Sequence, residues 1–401
     1  MVQPSHYDVL VIGGGPAGTA AAWHAARGGL QVLLTEMGRP GQDRVCGEFV
    51  SYEAGSVLER MLASQAPEVL AAASRINFLR LVPQRGTARQ VPLPRPGLGI
   101  SRPRLDAALW QAARSAGAEG AAETRVLSVR AAAAGYAVEM ESVRQGPVRT
   151  VSARALVVAC GRWWRITGLS SPADQMHHPG NWAGVKARFD LPAIPQKERT
   201  SVELYCLPGG YCGLAPVENG RVNVCCLIRR DRLRGAASAS LHSMGAWLIE
   251  IAANPELRAR LAGARQVTPT VATAPIRLGS GSARQAEHLL AGDAAGFLDP
   301  FTGDGIARAL CGGARAGELL AQAHALNPRA WPAHAARLYQ REWRRSGMAA
   351  FRAAIGLRPL IALPAGLQNA MLQLLARPLL ARLCFSATRW RDDESEAVRI
   401  A

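Results

Sequence analysis

Lysine is almost missing from this chain. Among 47 basic residues in 401, only Lys186 and Lys197 are lysines; the others are arginines scattered through abundant alanine. The formal charge of +17 thus comes without cation runs interleaved with aromatics, which are only 5% of the residues. With no RNP box and no zinc-finger spacing either, this composition argues against a nucleic-acid partner. None of the eight cysteines forms a CxxC pair, and Cys225–Cys226 lie inside RVNVCCLI, which reads as a strand. That excludes a zinc set and a disulfide framework and predicts reduced, mostly buried thiols in a cytoplasmic protein. His177–His178 lack the HExxH spacing of a metal helix, so no metal site is expected. There is no G-x-S-x-G hydrolase elbow, no repeat at a solenoid or propeller period, and no leader-like basic and hydrophobic opening. One uncharged run, PLIALPAGLQNAMLQLLA between Arg358 and Arg377, approaches a membrane span in length. Pro364, Gly366, Gln368, Asn369 and Gln373 interrupt it, which favours a helical lid over a span. Peripheral membrane contact through a basic amphipathic face is the alternative for these C-terminal helices.

What is present begins at once. HYDVLVIGGGPAGTAAAWHAARGGLQVLLTE runs from His6 to Glu36. YDVLVI reads as a buried strand, TAAAWHAAR as a helix stopped by Gly28 and Gly29, and QVLLTE as a second strand ending on an acid. Gly13, Gly15 and Gly18 stand in the G-x-G-x-x-G register between the first strand and the helix, with Pro16 and Ala17 inside it. Gly13 suits the tight turn, Gly15 the approach of a pyrophosphate, and Gly18 close packing of helix on strand. The helix start offers free N–H groups and a positive dipole end to phosphates, and Glu36 offers acceptors to a ribose hydroxyl. This loop alone does not separate NAD from FAD.

A second permissive stretch, AGDAAGFLDPFTGDGIARAL, lies at Ala291–Leu310. EHLLAG before it reads as a short buried strand, and the segment behind it as a helix rich in small residues. The turn between them falls at the carboxyl edge of an α/β sheet, where ligands bind. Asp293 can hydrogen-bond a polyol, and the helix starting near Gly305 can direct its positive end at a developing anion. A flavin supplies both, through its ribityl chain and its reduced ring.

GDAAGFLDPFTGDGI resembles the second flavin motif of the geranylgeranyl reductase and aromatic-hydroxylase superfamily of FAD proteins, in which GDAAG is followed by a proline and a G-x-G-I turn. The resemblance implies FAD contacts at Gly292, Asp293, Pro300, Gly303, Gly305 and Ile306. ISRPRLDAALWQAARSAGAE resembles that family's R-x-x-L/F-D helix, which places Arg102, and with it Asp106, near FAD. RVCGEFVS resembles its K/R-x-C-G segment, which places Arg44, Cys46 and Gly47 near cofactor or substrate. PGGYCGLAP resembles the PGGY-x-W-x-x-P segment that lines the substrate cavity of the reductase branch. The match runs in order over about residues 6–325. It departs from the family at ACGRWWRITG, where A-D-G-x-x-S is usual; at Gly213, where the cavity motif has tryptophan; and at Asp304, a carboxylate inside the G-x-G turn that would oppose an anionic flavin.

The resemblance and the strand pattern together predict an α/β (α+β) protein. Its parts are a discontinuous Rossmann-like FAD-binding domain at 1–72, 98–170 and 268–328, an antiparallel β-sheet substrate domain at 73–97 and 171–267, and a C-terminal helical segment at 329–401. ENGR, Glu218 to Arg221, reads as a hairpin turn in the second sheet. The expected activity is an FAD-dependent reductase or dehydrogenase acting on a lipophilic, isoprenoid-like or polyketide-like molecule. NAD(P)H, bound transiently, or another donor would reduce the flavin. Cys46 would flank the cavity, or be a small packing residue; Tyr211 would shape it or supply a proton, or be an ordinary strand aromatic. The alternatives are a monooxygenase of an aromatic or polyketide ring and a non-catalytic flavin-binding protein. A flavin halogenase is set aside because no lysine precedes Lys186 and Trp163–Trp164 does not match the halogenase motif. An electron-transfer-flavoprotein:quinone oxidoreductase is set aside because Cys311 and Cys384 cannot form its four-cysteine cluster.

Overall fold

The computed structural model describes residues 6–144, 146–162, 164–169, 181–192, 198–233, 254–276, 288–297 and 300–389. Two sheets organise them. The first holds β1 (His6–Ile12), β2 (Val32–Thr35), β6 (Glu119–Ala121), β7 (Thr124–Ala132), β8 (Gly135–Ser142), β9 (Arg149–Val158) and β16 (Leu289–Leu290). Its order is β6-β2-β1-β9-β8-β7, with β16 beside the end of β9. The β6, β2, β1, β9 and β16 pairings are parallel; β7–β8 and β8–β9 are antiparallel. Val9, Leu10 and Val11 are wholly buried, as expected of a strand covered on both faces.

The covering helices are α1 (Pro16–Arg27), α2 (Gly55–Leu62), α3 (Pro67–Ala72) and α4 (Arg102–Ser115) in the first half of the chain. Two short helices, α5 (Arg230–Leu233) and α6 (Pro255–Leu261), belong to the second-sheet region. Then come α7 (Gly305–Leu326), α8 (Trp331–Glu342), α9 (Met348–Leu357), α10 (Pro359–Ala362), α11 (Ala365–Leu375) and α12 (Pro378–Thr388). Helices α1 and α7 touch backbone to backbone. A Cβ on Gly313 would sit 2.0 Å from the Ala17 carbonyl oxygen, and one on Gly317 would sit 2.4 Å from that of Ala21. Small residues on both helices therefore fix how closely the two halves of the first layer approach.

The second sheet has the order β14-β10-β13-β12-β11-β4-β5-β3, with β15 also on β10. Its strands are β3 (Phe49–Val50), β4 (Ser74–Val82), β5 (Arg89–Gly99), β10 (Trp182–Asp190), β11 (Ser201–Leu207), β12 (Gly210–Pro216), β13 (Val222–Arg229), β14 (Arg265–Gln266) and β15 (Val271–Ile276). All pairings are antiparallel except β4 with β11, which run parallel. The β12–β13 hairpin turns through Glu218–Gly220, with Asn219 at φ +63° and Gly220 at φ +70°, the left-handed pair that Asn-Gly favours. Two segments cross the expected domain borders. Phe49–Val50 and Val271–Ile276 pair with β5 and β10 of the second sheet, although ranges 1–72 and 268–328 assign them to the cofactor layer. Both lie where the chain passes between layers, and edge pairing there leaves no periodicity signal.

One ion cluster joins the layers. Lys186 on β10 is fully buried, and its Nζ donates to Glu48 Oε1 and Asp43 Oδ1, each at 2.5 Å, and to the Arg44 carbonyl at 3.0 Å. Arg188, two residues on, donates to Glu48 at 3.0 and 3.1 Å and to Asp43 at 2.7 Å. Glu48 is itself fully buried, has φ +58°, and also accepts the Arg102 N–H at 2.8 Å. Lys186→Met leaves both carboxylates to Arg188 alone, with one negative charge uncompensated, and is expected to cost about 3–5 kcal/mol in denaturant unfolding.

His24 on α1 lies in the seam with α7, its Nδ1 3.2 Å from Glu318 Oε1 and its Nε2 without a hydrogen-bond partner among the described residues. Burial, helped by Arg60, pushes its pKa down from 6.5 to about 3. The unfolded chain binds this proton first as pH falls. The contribution is therefore complete above pH 6.5 and lost progressively toward pH 3. His24→Gln is expected to flatten that part of the stability curve, as urea unfolding over about pH 4 to 7 would measure.

Candidate functional site

Strand β1 delivers the chain to Gly13, whose φ of +109° and whose Cβ position, 2.4 Å from the Ala159 carbonyl oxygen, admit only glycine. A Cβ on Gly18 would lie 1.8 Å from the Gly13 carbonyl oxygen, so α1 packs directly on the turn. Gly15 precedes α1 without a side-chain cap, Pro16 opens the helix, and its first turn holds no acid. The N–H groups at that end are left to an anionic ligand. At the end of β2, Glu36 Oε2 accepts from the Gly14 N–H at 2.8 Å. Its Oε1 accepts from the Gly38 N–H at 2.8 Å and from Arg44 Nη2 at 3.1 Å.

The distant motif meets this loop. A Cβ on Gly292 would come within 2.9 Å of the Ala17 Cβ. Asp293 follows β16, and burial pushes its carboxyl up against the opposing pull of Arg162, Arg102 and Arg308. Gly303, at φ +68°, turns the chain into Asp304, which precedes α7. Asp304 is 1% exposed; Oδ1 accepts the Thr302 hydroxyl at 2.8 Å, while Oδ2 has no partner among the described residues. Arg308 Nη1 is likewise buried and unpartnered.

Arg102 opens α4 and grips Asp106 with two bonds of 2.9 and 2.7 Å. Burial opposes its charge, but Asp106 and then Cys46 outweigh burial and raise its pKa above the usual arginine value. Cys46 is half-buried, and its carbonyl accepts from Asn223 Nδ2 at 2.9 Å. The hairpin tip reaches the same place: Glu218 accepts the Ser101 N–H at 3.0 Å and the Ser101 hydroxyl.

These groups surround one cavity of about 960 Å³. Gly13, Gly15, Pro16, Ala17, Glu36, Arg44, Cys46, Gly47, Arg102, Tyr211, Gly292, Asp293, Pro300, Gly303, Gly305 and Ile306 all line it. Gly18 does not; its part is packing beneath the loop. Tyr211 meets Phe301 edge-on at 5.6 Å, and a Cβ on Gly213 would meet nothing nearer than 3.7 Å, so the wall is open where the family motif has tryptophan. Several lining groups escaped the sequence reading. Arg162 lies 4.4 Å from the Phe297 ring centroid, and Glu48 ties the Cys46 segment to the second sheet. A glutamate two residues beyond a Cys-Gly pair carries no signal by itself; the scarcity of lysine was the one pointer to Lys186. Burial and Glu36 push the Cys160 thiol up to about 12, which keeps it neutral at this wall. Trp164 lines the cavity, while Trp163 and His177–His178 lie outside the described residues.

The arrangement fits FAD. It offers the uncapped start of α1 for anionic groups, and Asp293 and Arg308 Nη1 as hydrogen-bonding capacity for a polar ligand, whereas the start of α7 carries the Asp304 carboxylate. Glu36→Arg is expected to weaken FAD binding about tenfold or more, because it replaces a charged acceptor by a donor. Fluorescence titration of the apoprotein with FAD checks it, and unchanged affinity would count against the ribose role of Glu36.

The sequence profile of a family described as an FAD binding domain matches residues 6–326. A digeranylgeranylglycerophospholipid reductase of Methanothermobacter thermautotrophicus is 28% identical over 343 residues, covering 80% of this chain and 79% of that protein. A menaquinone reductase of Mycolicibacterium smegmatis is 30% identical over 383 residues, covering 90% and 86%. Among solved structures, a flavin-dependent brominase superposes with a TM-score of 0.74 at 20% identity over 99% of this chain and 98% of that one. A geranylgeranyl bacteriochlorophyll reductase-like protein from Thermoplasma acidophilum gives 0.71 at 19% identity, over 93% and 92%. The matched profile covers both glycine–acid motifs and the floor between them, and the chain belongs to the FAD-binding geranylgeranyl reductase and aromatic-hydroxylase superfamily as an FAD-dependent oxidoreductase.

Proposed function

We propose that this enzyme saturates carbon–carbon double bonds in a lipophilic, isoprenoid-like molecule, with electrons reaching FAD from NAD(P)H or another donor. The observation that carries this reading is the apolar floor beside the flavin motifs. Leu204, Tyr211, Leu227, Ile276, Ile361 and Leu372 belong to one buried cluster, with Phe297 and Phe301 packed against it. The names of the two reductase relatives point the same way.

Bound FAD supplies hydride chemistry. The chain supplies the surroundings. The apolar wall excludes water from the reacting bond. Saturation needs a proton as well as a hydride, and Cys46 and Tyr211 on the cavity wall are the candidates to hold it. Arg102, fixed by Asp106, keeps a positive charge beside Cys46. Halogenation is not favoured. Lys186 is fully committed to the buried ion cluster, and the brominase likeness speaks for the fold alone.

Anaerobic mixing of the reduced enzyme with a polyprenyl substrate tests this. The expected result is flavin reoxidation in step with a product heavier by two hydrogens, read by mass spectrometry. A transient absorbing species on mixing with oxygen, followed by an oxygenated product, would overturn it in favour of hydroxylation. Gly213→Trp should leave flavin content unchanged and raise KM for a long-chain substrate about tenfold, because the new ring fills open cavity.

A further inference from the structure

Among the described residues, nine large apolar side chains are exposed, and Ile355, Leu367, Leu374, Leu379 and Leu383 are five of them. All five lie on α9, α11 and α12. Helix α12 packs against both α9 and α11, so the five belong to one helical layer. Leu379 and Leu383 are 76% and 64% exposed and stand one helical turn apart on α12. Leu367 and Leu374 are two turns apart on α11. The other side of the same layer is already engaged. Ile361 and Leu372 are buried with Tyr211, and the buried Gln368 donates to the Leu360 carbonyl at 3.1 Å. The outer leucines are therefore surplus to the fold.

The charges around them have one sign. Arg352, Arg377 and Arg382 are exposed beside these leucines. Between Glu342 and Asp392 the chain contains no aspartate or glutamate. Leucine flanked by arginine without acids suits the boundary of a negatively charged bilayer. Helices α11 and α12 meet at 90°, and no single helix among the described residues is long and apolar enough to cross a membrane. The layer has the form of a surface that lies on lipid.

We propose that α9, α11 and α12 form a docking face for an anionic lipid bilayer, with the leucines entering the interface and the arginines meeting headgroups. Helix α12 also connects that face with the interior, because Phe385 lines the cavity. The proposal stands apart from the reaction: docking can hold or fail whatever the enzyme does to its substrate.

Flotation of the full-length holoenzyme with vesicles tests it. Phosphatidylcholine vesicles containing phosphatidylglycerol should carry the protein upward, vesicles of phosphatidylcholine alone should not, and added salt should reduce the effect. The double variants Leu379→Asp/Leu383→Asp and Arg377→Gln/Arg382→Gln should each lower partitioning about tenfold. Both should keep the bound-flavin spectrum and the circular dichroism of the parent. Wild-type protein that ignores anionic vesicles, or variants that float as well as it does, would overturn the proposal. So would equal flotation with both vesicle types. A concentration-dependent dimer in light scattering that the leucine variant abolishes, without flotation of the parent, would give the face to a second copy of the chain instead.

Discussion

Glu48 is the point on which the two layers turn. It is buried, sits at positive φ, and accepts from Lys186, Arg188 and the first N–H of α4 at once. Through it the floor sheet, the Arg102 helix and the Cys46 segment share one anchor. An ion cluster built on fully buried Lys186 and Glu48 is weak evidence for stability in its own right, since an apolar replacement of equal shape can do as well. Its contribution is position. The charges admit one register of the Asp43–Glu48 strip on β10, and that register brings Cys46 to the Arg102 guanidinium.

The cofactor layer was legible because its signals are local. A buried strand, a glycine turn, a helix of small residues and a terminal acid follow one another within thirty-odd residues, each with its own physical reason. The Asn-Gly turn of the floor sheet was legible for the same reason. What could not be read were pairings between distant segments. Nothing in Phe49–Val50 or Val271–Ile276 says which sheet edge they complete, and nothing local marks the parallel junction of β4 and β11. The expected site residues other than Gly18 gather on one cavity, yet Arg162 and Glu48 join them by tertiary placement alone. Lys186 was noticed for its rarity and for a chemistry it lacks; its actual partners are carboxylates more than a hundred residues away.

The cavity wall shows how one scaffold admits different chemistries. The glycine–acid motifs set where a flavin can lie, whereas the opposite wall decides what can approach it. At Gly213 that wall is bare, and at Phe297 and Phe301 it is aromatic. A solved brominase and a solved reductase-like protein share this fold, as expected where a reaction is set by the site and not by the architecture that carries it.

The close seating of α1 on α7 bears on how the protein is made. The glycine loop at Gly13–Gly18 is made first, and the groove that completes it is cut by Gly313 and Gly317, which follow some three hundred residues later. Until that helix docks, Ala17 has no Gly313 beside it and the early strand–helix unit lacks its second wall. A site with both walls is therefore available to the cofactor only once that helix has been made and has docked. Bound flavin colour would accordingly report that α7 has docked on α1, and not merely that the first strand–helix unit has folded.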